Sequence, residues 1–263
     1  MAEETRYFTN MGMQTISTAN SNLDGTGTLS SAIITGAYNG TLIKTVTIKA
    51  QTDTSQGIVR LYAFDGTNTK LISEIEIPAV TKSTTDPAFE ITIPVEYALK
   101  PNWSLKASTE NADTFNVIAE GLDWSYYTGS VRPDSSRYTA NTGMATISTA
   151  NSNLDGSGSV VTVITAAACG TLIQSIQIKA QGNTTAGIIR LFLNDTTNTK
   201  LLREITVEAT IKSASAHSFS KTINFEGQGL SLKTGWSLKA STQIGETFNI
   251  IAEGLDWTYP DLS

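Results

Sequence analysis

The sequence has little of the chemistry that most enzymes use, with one histidine and one cysteine among 263 residues. A single cysteine, Cys169, cannot form a disulfide within the chain, and these two residues are too few for a structural zinc site. The histidine, His217, stands where the other half of the chain has Pro87, so it is a poor candidate for the base of a catalytic triad. We therefore predict no catalytic residue and no enzyme activity.

Charge and long apolar runs are also scarce. Charged residues make up 16% of the chain, the net charge is −6, and Lys and Arg are scattered singly. Such a surface does not favour phosphate backbones, so we predict no nucleic-acid partner. There is no run of about 18 apolar residues, which predicts no membrane span. The first residues, MAEETRYFTN, lack the apolar core of a secretory signal, which predicts synthesis in the cytoplasm.

The most informative feature is an internal repeat. The phrase ISTANSNLDG occurs at residues 16–25 and again at 147–156, and AEGLDW occurs at 119–124 and again at 252–257. The repeat is much longer than the roughly 20–50 residues of a solenoid unit, so each copy is a whole domain. A segment rich in Gly, Pro and Ser separates the copies, as expected of an exposed linker. We predict a first repeat over residues 1–127, a linker over 128–136 and a second repeat over 137–263.

Short alternating patterns run through both copies. In one of them Phe89, Ile91, Ile93 and Val95 alternate with Glu, Thr and Pro, which is the period of a strand with one buried face. The patterns predict an all-β protein of two tandem homologous β-sandwich domains with about eight strands each. A jelly-roll topology is favoured, and an immunoglobulin-like topology is the alternative. The second copy has a three-residue insertion before Trp236, so we expect strands to flank a longer loop there.

The repeated NSNLDG segment has the spacing that opens a calcium-binding loop, in which alternate Asn and Asp side chains supply oxygen ligands. The last ligand position of such a loop, normally a bidentate Glu, is Ser31 in one copy and Thr162 in the other. The alternative is a turn in which Asn and Asp side chains bind their own backbone. Calcium is the one candidate cofactor, and its candidate ligands are Asn20, Asn22, Asp24, Asn151, Asn153 and Asp155.

Several carboxylates recur in both copies, but nothing in their spacing places two of them across a cleft, as a glycosidase requires. Glu74, which corresponds to Glu204, alternates outward on its predicted strand and has Arg60 as a basic candidate nearby. We therefore predict cross-strand ion pairs on a solvent-exposed face rather than a reaction centre.

Two tryptophans recur in each copy. Trp103 and Trp236 are in phase with inward-facing residues and are predicted to belong to the core. Trp124 and Trp257 end the AEGLDW phrases, where each is either a plug at the end of the sandwich or an exposed platform. The plug is favoured, because both copies keep the whole phrase rather than the ring alone. As a platform, these two residues are the candidate ligand or interface aromatics.

The phrases GTLIKTVTIKAQ, GIVRLYAFDGTNTKLISEIEIP and LKASTENADTFNVIAEGLDW resemble a β-rich repeat of bacteriophage and prophage virion proteins. The resemblance covers nearly all of both copies. It implies a capsid-associated or tail-associated structural protein that is made in the bacterial cytoplasm and located in the virion. The implied partners are capsid or other virion proteins, and no functional residue is carried over.

A non-enzymatic accessory head protein, such as a capsid decoration or cement protein, is the favoured function. Two like domains on one chain can occupy two quasi-equivalent sites, and linking them raises the effective concentration at the second site. Three chains would form a pseudo-sixfold ring, so we expect a homo-oligomer and favour a trimer. The alternatives are a tail-associated or fibre-associated structural protein and a tandem carbohydrate-binding module or lectin with a glycan ligand.

Overall fold

The strands of the described residues divide between two units. Every regular element of the described residues is a β-strand, and none of these residues forms a helix that could cross a membrane. The predicted linker, residues 128–136, and His217 lie outside the described residues, so the predicted repeat boundaries stay a prediction. The computed structural model describes residues 5–126, 137–212, 218–225 and 229–258.

The described residues hold eight strands in the first unit and nine in the second. The first unit contains β1 (Thr5–Ile16), β2 (Ile34–Thr35), β3 (Thr41–Ala50), β4 (Gly57–Phe64), β5 (Thr69–Ile77), β6 (Glu90–Leu99), β7 (Ser104–Thr109) and β8 (Phe115–Tyr126). The second unit contains β9 (Arg137–Ile147), β10 (Val161–Thr165), β11 (Thr171–Ala180), β12 (Gly187–Asn194), β13 (Thr199–Val207), β14 (Ser220–Asn224), β15 (Leu230–Leu232), β16 (Ser237–Thr242) and β17 (Phe248–Thr258).

The strands of the first unit pair in a nested order. β1 pairs with β8, β2 with β7, β3 with β6 and β4 with β5, all antiparallel. Two further pairings, β3 with β8 and β4 with β7, complete two four-stranded sheets. We name the sheet with the order β1-β8-β3-β6 the β3 sheet and the sheet with the order β2-β7-β4-β5 the β4 sheet. This is a jelly roll, in which one long antiparallel ribbon is rolled into two sheets. The jelly-roll prediction is confirmed. The immunoglobulin-like alternative is wrong, because its strands divide between the sheets in a different order.

The second unit repeats this order. Its sheets run β9-β17-β11-β14 and β10-β16-β12-β13, and β15 pairs with the start of β11. In the first unit one strand, β6, covers both positions, with an irregularity of register between Ile43 and Thr45 on β3. In the second unit the corresponding stretch holds two strands, β14 and β15, and residues 226–228 between them lie outside the described residues. The expectation that strands flank the insertion is therefore confirmed.

Side-chain alternation explains the core of each unit. Val59 and Leu61 on β4, and Val46 and Ile48 on β3, are fully buried in one hydrophobic cluster. Burying a side chain of this size stabilises the fold by about 1.5–3 kcal/mol. The alternate positions of β4, which include Arg60, face away from this core because successive side chains point to opposite faces. The corresponding core residues of the second unit are also fully buried: Ile176, Ile178, Ile189 and Leu191.

Two corresponding glycines allow the first strand of each unit to pass close to the second. A Cβ at Gly12 would lie 1.6 Å from the carbonyl oxygen of Ile33, and one at Gly143 would lie 2.2 Å from the carbonyl oxygen of Val163. Both obstacles are backbone atoms. A side chain at either position therefore fits only if the two strands move apart.

We expect Gly12→Ala to lower the free energy of unfolding by about 1–3 kcal/mol, because the added methyl group forces the strands apart. Urea denaturation of the full chain measures this change. Gly182→Ala is the matched control, since nothing lies within 4 Å of a Cβ at that position. Its effect should stay within about 0.5 kcal/mol. A Gly12→Ala protein as stable as the control would contradict the close approach of β1 and β2.

Candidate functional site

The repeated NSNLDG segments, residues 20–25 and 151–156, are named the NSNLDG loops. Each lies between the first and second strands of its unit. The first loop begins beside β7, where the amide of Asn20 donates to the carbonyl oxygen of Thr109 at 2.8 Å. It reaches as far as β5, because a Cβ at Gly25 would lie 2.5 Å from a β5 side chain. The loop therefore crosses the outer face of the β4 sheet.

Two side chains on the outer face of β4 hold the first loop. Nη1 of Arg60 donates to the carbonyl oxygen of Asn20 at 3.3 Å, and the hydroxyl group of Tyr62 donates to the carbonyl oxygen of Asn22 at 2.7 Å. Both side chains are buried although they face away from the core. The sheet thus supplies hydrogen-bond donors to two backbone carbonyl groups of the loop.

The second loop keeps the arginine but not the tyrosine. Nη1 of Arg190 donates to the carbonyl oxygen of Asn151 at 3.0 Å. Phe192 takes the place of Tyr62 and is fully buried, so it contributes apolar area without a hydroxyl group. The anchor that both loops share is therefore the arginine.

Each arginine also contacts a carboxylate on the neighbouring strand. Nε of Arg60 lies 2.9 Å from Oε1 of Glu74, and Nε of Arg190 lies 3.0 Å from Oε1 of Glu204. The side chain of Glu74 is 43% exposed, whereas that of Glu204 is 1% exposed. The predicted cross-strand pairs therefore exist. Their predicted place on a solvent-exposed face is wrong for both arginines, because the NSNLDG loops lie over them.

We expect Arg190→Met to cost about 3–5 kcal/mol of stability, because it removes the arginine from a buried carboxylate. Arg60→Met should cost about 1–3 kcal/mol, since the carboxylate of Glu74 can be hydrated when the arginine is gone. Urea denaturation of the two variants provides the comparison. Equal losses, or a larger loss for Arg60→Met, would contradict the difference in burial between the two pairs.

Within each loop the Asn and Asp side chains bind the loop's own backbone. Nδ2 of Asn20 donates to the carbonyl oxygens of Thr26 and Thr28 at 2.9 Å each, and Oδ1 of Asn20 accepts the amide of Asn22 at 3.0 Å. Oδ1 of Asp24 accepts the amide and the hydroxyl group of Thr26 at 2.9 and 2.7 Å. These contacts form a turn in which Asn and Asp side chains bind their own backbone, which is the predicted alternative to a calcium-binding loop.

The second loop has the same bonds, with Ser157 in place of the threonine. A calcium ion at either loop would have to take the Oδ1 atoms of these residues out of their hydrogen bonds. Among the described residues, no group of three His, Cys, Asp or Glu side chains is arranged to hold a metal ion. Calcium binding by the two loops stays a prediction.

Hydrogen bonds from the side chain and backbone of Thr26 lower the pKa of Asp24, and those from Ser157 lower the pKa of Asp155. A lowered pKa means that the folded loop favours the ionised carboxylate. Its stabilisation is therefore present at neutral pH and is lost as pH falls through the lowered pKa. We expect a carbon-13 NMR titration to place both midpoints below that of an aspartate in an unstructured peptide. Thr26→Val should raise the midpoint of Asp24 and leave that of Asp155 unchanged.

The same resonances test the calcium interpretation. At neutral pH, added calcium should shift the Asp24 and Asp155 signals saturably if the loops bind the ion. If the loops are only turns, the signals should not shift. Asp24→Ala is the control, since it should remove the response of the first loop alone.

A second repeated network explains the aspartate of the AEGLDW phrase. Asp123 accepts Nδ2 of Asn10 at 2.7 Å and also the hydroxyl group of Thr41. The hydroxyl oxygen of Thr41 in turn accepts the amide of Ala37 at 3.0 Å. The network joins β1, β3 and β8 to the loop that leads into β3. The second unit repeats the contacts to the aspartate with Asn141, Thr171 and Asp256.

The tryptophans predicted to be in the core are only half-buried. Trp103 packs against the core of the first unit, and Trp236 holds the same position in the second. Nζ of Lys100 lies 5.3 Å from the ring centroid of Trp103, and Nζ of Lys233 lies 6.0 Å from that of Trp236. Each ring thus has a lysine of its own chain over one face, a cation–π arrangement.

Of the other two tryptophans, the side chain of Trp257 is described and that of Trp124 is not. Trp257 is half-buried on β17, and its indole nitrogen is enclosed without an acceptor among the described residues. Trp124 pairs with Tyr7 through the backbone of β8 and β1, and its side chain lies outside the described part. The role of both residues as ligand or interface aromatics stays a prediction.

No family model matches the chain, and no curated protein matches it by sequence. Among solved structures, the major capsid protein P2 from bacteriophage PM2 is 13% identical, with a TM-score of 0.26, over 96% of this chain and 99% of that chain. The STIV MCP is 10% identical, with a TM-score of 0.29, over 97% and 98%. The CBM22-1–CBM22-2 tandem domain from Paenibacillus barcinonensis Xyn10C is 10% identical, with a TM-score of 0.25, over 96% and 93%. Because these TM-scores are low, the jelly-roll assignment rests on the strand order of this chain alone.

Proposed function

We propose that this protein is a non-enzymatic structural protein of a bacteriophage virion. Within the virion it is a capsid decoration or cement protein, or another accessory head protein, that acts through contacts with capsid proteins. The observation that carries the proposal is the jelly-roll strand order of both tandem units. Virus capsid domains and lectins are prominent users of this architecture. Since one fold hosts many functions, the surface features must decide between them.

The repeated polar groups support a role in assembly. Arg60 and Arg190 bind loop carbonyl groups, and Asp123 and Asp256 bind side chains of neighbouring strands. These contacts hold each unit's own backbone in place. Groups used in this way make a rigid frame, and a rigid frame presents its loops to a partner at little cost in conformational entropy.

The exposed apolar residues support contact surfaces that differ between the copies. Tyr38 is 91% exposed at the turn before β3, and the second copy has Ala168 at that position. Met144 is 73% exposed, whereas its counterpart Met13 is buried. A chain whose two units share a fold but differ in surface can contact two kinds of neighbouring protein on a capsid shell. A trimer of such chains would form a ring with six similar units.

The test is sedimentation of the purified full chain, first alone and then with empty heads assembled from the major shell protein of the same genome. We expect a trimer alone and saturable co-sedimentation with the heads. Tyr38→Ser should weaken binding if the turn before β3 is part of the contact, and Ser83→Ala is a surface control. A monomer that binds no head would contradict the proposal. Immunogold labelling of the tail would place the protein among tail or fibre components instead.

A tandem carbohydrate-binding module is the second candidate, because each unit keeps two tryptophans at matched positions. Sugar rings stack on exposed aromatic faces, but a lysine lies over one face of Trp103 and of Trp236. Glycan-array binding that Trp257→Ala abolishes would favour this candidate. An array without signal, together with head binding, would reject it.

A further inference from the structure

Lys49 is a fully buried lysine near the end of β3, a central strand of its sheet. Its Nζ donates to the carbonyl oxygen of Ala88 at 2.8 Å and lies 3.7 Å from Oε2 of Glu90. A carboxylate beside an ammonium group can act as a general base for it. A buried amine that has lost its proton is a nucleophile.

The strand register places a carboxamide, whose carbon is an electrophile, on the residue directly opposite Lys49. Lys49 is opposite Glu90 on β6 and opposite Asn116 on β8, so the three side chains share one face of the sheet. Directly opposite residues have Cβ atoms about 4.5–5.5 Å apart, a span that the four methylene groups of a lysine can cross. Asn116 is also fully buried, so water does not compete for its carboxamide.

The carboxamide of Asn116 is polarised where it stands. Its oxygen accepts the hydroxyl group of Thr15 at 3.1 Å and Nε2 of Gln51 at 2.9 Å. Two donors on a carbonyl oxygen stabilise the negative charge that develops there when a nucleophile adds to the carbon. The same two bonds fix the orientation of the carboxamide.

We propose that Lys49 and Asn116 join in an intramolecular isopeptide bond, with Glu90 as the proton carrier. Glu90 takes a proton from the ammonium group, and the amine lone pair of Lys49 adds to Cγ of Asn116. Glu90 then moves a proton from Nζ to the departing nitrogen. The Nζ–Cγ amide bond forms, the bond from Cγ to the carboxamide nitrogen breaks, and one ammonia leaves. The step needs no oxidant, metal or other reactant.

The second unit supplies an internal comparison. Asn249 corresponds to Asn116 and keeps the same two donors, Thr146 at 3.0 Å and Gln181 at 2.8 Å. Lys179 is opposite Asn249, but it is exposed, and the residue opposite it on the other side is Ser220 rather than a carboxylate. Neither strand beside Lys179 has a carboxylate opposite it that could carry the proton. The second unit should therefore form no such bond.

The bond would tie two central strands, β3 and β8, covalently. A cross-link between residues far apart in sequence restricts the unfolded chain and so favours the folded state. The inference depends only on these buried groups, and it holds whether or not the protein belongs to a virion.

The decisive measurement is the intact mass of the full chain under denaturing conditions. We expect a mass lower than that of the sequence by one ammonia. Lys49→Arg, Asn116→Ala and Glu90→Gln should each show the full mass of their own sequence. Lys179→Arg and Asn249→Ala are the matched controls and should keep the loss. Glu90→Gln retains the size of the side chain, so it separates loss of the proton carrier from loss of the fold, which circular dichroism monitors.

Peptide mapping then locates the lost ammonia. A branched peptide that joins the segments containing Lys49 and Asn116 is the expected product. An asparagine before a glycine, such as Asn39, can also lose ammonia by cyclising on its own backbone. A loss that maps there, or a folded protein with the full mass, would overturn the proposal.

Discussion

The outer face of each jelly roll depends on one buried arginine. Arg60 and Arg190 stand on the central strands β4 and β12 and face away from the core. Each binds a carbonyl oxygen of its NSNLDG loop and a carboxylate on the next strand. Hydrogen bonds to a charged group contribute about 1.5–3 kcal/mol, and a buried guanidinium without them would be strongly destabilising. The loop and the arginine therefore require each other.

The two copies share a frame and differ in its details. The arginine anchors and the aspartate networks recur with the same partners, because they hold the strands and loops of the jelly roll in place. The copies differ at other positions: Tyr62 becomes Phe192, and the buried Lys49 corresponds to the exposed Lys179. A duplicated domain can change such positions without loss of the fold. This leaves the copies free to acquire separate contacts and separate chemistry.

Much of the fold was predictable because it follows from local patterns in the sequence. Alternation at period two predicted the strands, and the repeated phrases predicted two copies with the same architecture. The same alternation gives β4 one face toward the core and one face, with Arg60, away from it. It did not show that the chain's own loop covers one of these faces. The ion pairs were accordingly predicted in the right strands but on the wrong kind of surface.

The sequence by itself determined the all-β class, the duplication and the inward-facing residues, since these follow from spacing along the chain. Only the tertiary structure decided the strand order, the burial of Arg60 beneath the loop and the alignment of Lys49 with Glu90 and Asn116. Those three residues are distant in sequence and meet only because β3 pairs with β6 on one side and with β8 on the other. Strand pairing between distant segments has no local signature, because it is selected by the packing of the whole domain.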